Sequence, residues 1–142
     1  MAEAPRREAR ERAMTLLYEA DLKAADPAVV LAGLPVPPDT YTARLVDGTA
    51  RARSELDAIL AELAEGWGLD RMPVVDRAIL RLALYELIAE PEVPAEVVLA
   101  EAVALAGRFS TEASSRYVNG VLANAARRLR GRYDDGAVKR VP

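Results

Sequence analysis

The sequence predicts an all-α protein, a single compact helical domain of about six to seven helices spanning residues 1–142. Three observations carry this. No segment sustains the alternating apolar and polar residues of a half-buried strand. Apolar residues instead recur at helical spacing across most of the chain. Proline and glycine clusters at Asp26-Pro27, Pro35–Pro38, Gly66–Gly68 and Pro91–Pro94 punctuate those stripes.

Each element follows from local chemistry. The first helix is expected from Arg6 to about Ala24, burying Ala9, Ala13, Leu16, Leu17 and Ala20 on one stripe. Asp26-Pro27 breaks it, and a short helix over Ala28–Leu34 ends near Gly33. Pro35–Pro38 is a loop, because four residues with three prolines cannot be helical throughout. Asp39 or Thr40 caps a long helix reaching about Glu65, with Gly48 as a candidate bend. Gly66-Trp67-Gly68 stops it. Asp70–Pro73 opens a central helix that is apolar on nearly every side, its charged positions being Asp76, Arg77, Arg81 and Glu86. It ends near Glu90-Pro91. Pro94 opens the next helix, with Val98, Ala102 and Leu105 inward, ending around Gly107–Phe109. Ser110 or Thr111 caps a last helix to about Gly131, and residues 1–5 and 132–142 are expected to be mobile ends.

Composition excludes several functions. The chain has 142 residues, 51% hydrophobic and 29% charged, enough for a true core. It contains neither cysteine nor histidine. That removes disulfides, thiolate nucleophiles, Cys/His zinc sites and histidine general bases together. No phosphate-cradling glycine loop or carboxylate metal loop is present either. An enzyme is not expected, nor any cofactor or metal. No apolar run reaches the ~18 to 20 residues of a membrane span. Met1–Arg7 lacks a secretory leader's apolar core, so a cytoplasmic location is expected.

The net charge of −3 conceals segregation. Residues 1–12 carry +1 and residues 127–142 carry +4, while the stretch between them carries −8. Basic ends on an acidic body can present one face to a polyanion. C-terminal arginines also complement a helix dipole, so both readings stand for them.

Three groups are candidates for function. Arg6, Arg7 and Arg10 share an arc of about 100° on the first helix. Guanidinium groups there suit RNA phosphates and oppose the helix dipole, although a solvated face explains them too. On the last helix Arg116, Tyr117 and Asn119 place an aromatic ring beside a cation and an amide, as single-strand recognition requires. The alternative is that Tyr117 closes the core edge and Gly120 permits close helix packing. Asp76, Arg77 and Arg81 form a polar strip on the central helix, either an internal salt-bridge network or a docking place.

The ordered set Asp76-Arg77-Ala78-Ile79-Leu80-Arg81-Leu82-Ala83-Leu84-Tyr85-Glu86-Leu87, Glu101–Ala106 and Arg116-Tyr117-Val118-Asn119-Gly120-Val121-Leu122 resembles the NusB family, bacterial transcription antitermination factors. The resemblance runs from about Arg6 to Arg130 and implies a NusB-like fold. It also implies binding of boxA-type single-stranded RNA from ribosomal RNA leader transcripts through Arg6, Arg7, Arg10, Arg116, Tyr117 and Asn119. It further implies a heterodimer with NusE, a small-subunit ribosomal protein, through Leu17, Tyr18 and Asp76. RNA polymerase with other Nus factors would receive that assembly. Tyr117 stands where the family more often has phenylalanine, and Gly107 replaces a common lysine. Two alternatives are a NusB-like module serving an RNA cytosine methyltransferase and a homodimeric protein-binding scaffold. The opening and closing segments are expected to form one cationic groove. Arg10→Ala is expected to weaken RNA binding while leaving folding nearly unchanged.

Overall fold

Seven α-helices and one 3-10 turn make up the described residues, 5–64 and 68–131 of a computed structural model. The helices are α1 (Arg6–Leu22), α2 (Pro27–Ala32), α3 (Thr40–Arg51), α4 (Arg53–Leu63), α5 (Val74–Ala89), α6 (Ala95–Phe109) and α7 (Glu112–Leu129). The 3-10 turn, Leu69–Arg71, precedes α5. The expected stop at Gly66-Trp67 and the expected mobile ends at 1–4 and 132–142 lie outside the described residues.

α5 is the hub. Residues 78–84 are all buried, together with Asp76, Glu86 and Leu87, because α1, α3, α4, α6 and α7 surround the helix. α7 closes the core with Val118, Leu122, Ala125 and Ala126, none of which reaches solvent. α6 and α7 form the most extensive helix pair. Among the described residues no helix is long and apolar enough to cross a membrane.

Local signals set most boundaries. Asp26 accepts from the Ala28 N–H at the start of α2, and Asp39 from the Thr42 N–H at the start of α3. Thr111 Oγ1 accepts from the Ser114 N–H at 2.9 Å, capping α7. Ser114 Oγ in turn donates to Asp76 at 2.7 Å, so the cap is joined to the start of α5. Thr111→Ala is expected to cost about 1 kcal/mol in chemical denaturation, the usual loss for an N-cap hydroxyl. An unchanged midpoint would show the cap to be dispensable.

One boundary differs from expectation. The stretch 40–63 is two helices, but the break is at Ala52 and not at Gly48. Gly48 remains helical because the Tyr85 ring of α5 lies against it, where a Cβ would collide with the ring. Its role is close approach, not bending.

Candidate nucleic-acid interface

The three arginines of the α1 arc separate once the fold forms. Arg6 stays half-exposed, its guanidinium 4.3 Å from the Tyr41 ring centroid and 3.8 Å from Glu92. Arg7 is exposed and pairs with Glu101 of α6 at 3.1 Å, an interaction that raises its pKa. Arg10 is only 5% exposed. Its Nε lies 2.8 and 2.9 Å from the two carboxylate oxygens of Glu86, and the Tyr41 hydroxyl donates to the same carboxylate at 2.6 Å. Burial opposes the Arg10 charge, but Glu86 outweighs it and the pKa stays above the ordinary value. Burial and then Glu86 push the Tyr41 pKa up as well. The expectation that Arg10 presents a free guanidinium to RNA is therefore corrected. The helical wheel placed it on the right arc, but the interior end of that arc faces α5.

On α7, Arg116 and Asn119 are exposed. Tyr117 is not the exposed aromatic that the sequence suggested. Its ring is half-buried and its hydroxyl buried, with a pKa raised by burial and then by the Asp76 carboxylate. The expected packing reason for Gly120 also fails. Among the described residues a Cβ there would meet nothing within 4 Å, so a mid-helix glycine costing about 1 kcal/mol relative to alanine has no described packing partner.

The two basic segments do not close directly into one groove, because α6 stands between them. Glu101 of α6 takes Arg7 on one flank, and the Val103 carbonyl accepts from Ser115 of α7 on the other. Arg108 of α6 reaches Glu11 of α1 at 2.7 Å. Its guanidinium also lies 5.0 Å from the ring centroid of Phe109, a large exposed apolar side chain. The sequence reading treated this pair as a helix end, although an arginine followed by an aromatic was a usable signal. What forms is two basic edges with an outward ridge of α6 between them.

The expected partner residues divide similarly. Tyr18 is partly exposed, whereas Leu17 is a core residue and Asp76 is 3% exposed. Leu17 and Asp76 are thus corrected from surface to interior positions, because both helices turn those stripes inward. Asp76 accepts from the Ser114 hydroxyl with one oxygen, and among the described residues its Oδ1 has no hydrogen-bond partner. It lines a pocket of about 330 Å³ with Arg71, Met72, Thr111 and Tyr117. Arg77 and Arg81 turn the other way, pairing with Asp21 and Asp57 as an internal network.

The described residues define a small all-helical protein with Arg7, Arg116 and Asn119 exposed on its outer helix faces. A family model described as the NusB family matches residues 7–127. The chain belongs to the NusB family. It is 55% identical over 122 residues to a transcription antitermination protein NusB of Acidothermus cellulolyticus, covering 83% of this chain and 84% of that one. Identity to the corresponding protein of Saccharopolyspora erythraea is 48% over 127 residues, with 85% and 86% covered. Among solved structures, T. maritima NusB superposes with a TM-score of 0.81 at 33% identity, covering 89% of this chain and 93% of that chain. The antitermination factors NusB and NusE in complex with dsRNA give 0.75 at 28% identity, with 87% and 96% covered. This is a family of transcription antitermination factors and not of enzymes.

Proposed function

We propose that the protein binds boxA-type single-stranded RNA of ribosomal RNA leader transcripts together with NusE, and delivers that assembly to RNA polymerase and other Nus factors. The observation that carries the reading is the pair of basic edges flanking α6, with exposed Arg7 on one side and exposed Arg116 and Asn119 on the other. Arg6, Arg7 and Arg116 supply phosphate contacts, Asn119 a base-edge amide, and the outer edge of Tyr117 a stacking surface. Arg10 acts indirectly by anchoring the start of α1 on α5. On the partner side, partly exposed Tyr18 offers a contact to NusE. Support also comes from the relatives' shared description and from a related NusB crystallised with NusE and RNA.

The test compares a boxA-type RNA with a base-scrambled control, with and without NusE, at physiological ionic strength. The expected result is preference for boxA that NusE enhances. Arg7→Ala is expected to weaken that binding and to lower the salt slope by about one unit, without altering stability. Equal affinity for both RNAs would reduce the surface to a generic polyanion binder.

A further inference from the structure

We infer that the groove between the end of α4 and the middle of α7 holds one nucleotide of the bound RNA, with Asn124 reading its base. This rests on the RNA-binding reading above. Its starting point is the contrast between two helical glycines. Gly48 is required by the Tyr85 ring, whereas at Gly120 no described residue comes close enough to exclude a side chain. A bare stretch of helix backbone that no internal neighbour needs is suited to close approach from outside.

The surroundings define what approaches. Gly120 floors an open groove of about 440 Å³, walled by Leu63 and Ala64 and bordered by Arg116, Tyr117 and Asn124. Arg116, Gly120 and Asn124 succeed one another at one-turn intervals, so they form a single stripe about 12 Å long. Arg116 is held only loosely, 3.8 Å from an exposed Glu112. Glu62, on α4, is tied to Arg128 at 2.7 Å. A cation, a ring edge, an apolar wall and an amide in sequence match the parts of a nucleotide. The phosphate meets Arg116, the base lies against Leu63 and Tyr117 above Gly120, and the Asn124 amide offers a donor and an acceptor side by side to the base edge. A carboxylate-rich peptide would leave the ring and apolar wall uncovered.

The experiment measures binding of the full chain with NusE to a boxA-type RNA and to a series in which each base is replaced singly. Gly120→Ala is expected to raise the thermal midpoint, since alanine favours the helix, while weakening RNA binding roughly tenfold. Asn124→Ala is expected to erase discrimination at one base position, also roughly tenfold, and to leave the other positions unchanged. A purely structural role for either residue predicts no such split. If the wild-type protein discriminates and both variants keep its full pattern and affinity, this inference falls alone. A wild-type protein that ignores base identity would remove the RNA reading and this inference together.

Discussion

Arg10→Ala is expected to lower the unfolding free energy by about 3–5 kcal/mol, the usual cost of breaking a buried ion pair from one side. The residue left behind is Glu86, itself buried, which would keep only the Tyr41 hydroxyl. Ile79, Leu82, Val98 and Leu105 line the small cavity beside the pair, so the side chains left around Glu86 are mostly apolar. Denaturant titration reads the effect as a lower midpoint with an unchanged slope. Replacing both partners with apolar residues of similar volume is expected to recover most of the loss, because no buried charge is then stranded. A drop smaller than 1 kcal/mol for Arg10→Ala would mean that the pair is solvated and that α1 is anchored otherwise. RNA affinity is expected to fall only through misplacement of Arg6 and Arg7, not through loss of a direct contact.

Arg130→Ala is the second large effect, expected at about 2–3 kcal/mol. Arg130 donates to the carbonyls of Leu87, Val93, Glu86 and Glu90 at 3.0, 2.6, 3.3 and 3.2 Å. Those groups sit at the end of α5 and in the turn after it, where helix carbonyls lack partners within the helix. Burial lowers the pKa of Arg130, outweighing the nearby Glu86, Glu92 and Glu96 carboxylates, which favour its charge. Arg130→Lys is expected to restore less than half the loss, since an ammonium cannot reach four carbonyls with the planar fork of a guanidinium. Full recovery with lysine would show that charge alone matters. The sequence reading left the C-terminal arginines, Arg130 among them, either facing a polyanion or complementing a helix dipole, whereas the structure employs Arg130 as an internal clamp.

The contrast between Arg10 and Arg7 shows where sequence reasoning stops. Helix existence and the caps, narrowed to Asp39 or Thr40 and to Ser110 or Thr111, are short-range properties, decided by residues within a turn or two, and were legible to that extent. The wheel could place Arg6, Arg7 and Arg10 on one arc, but the carboxylate that claims Arg10 is 76 positions away. Asp76 was misjudged for the same reason, whereas Leu17 lies on the buried stripe that its spacing assigned it and only the resemblance placed it at a partner surface. Gly120 illustrates the converse. Its cost was evident from propensity, but only the empty space above it separates a packing glycine from one facing outward. The internal network of Arg77 and Arg81 was one of two readings left open, and the pairing with Asp21 and Asp57 decides it.

The turn after α5 joins the beginning of α1 to the finish of α7. Arg6 reaches Glu92, and Arg130 binds the neighbouring Val93 carbonyl. The peptide thus makes a full circuit and is fastened at one clasp supplied by a few consecutive residues. During synthesis that clasp stays open until the final helix has emerged, so an N-terminal fragment ending in α6 would leave bare the side of α5 that α7 covers.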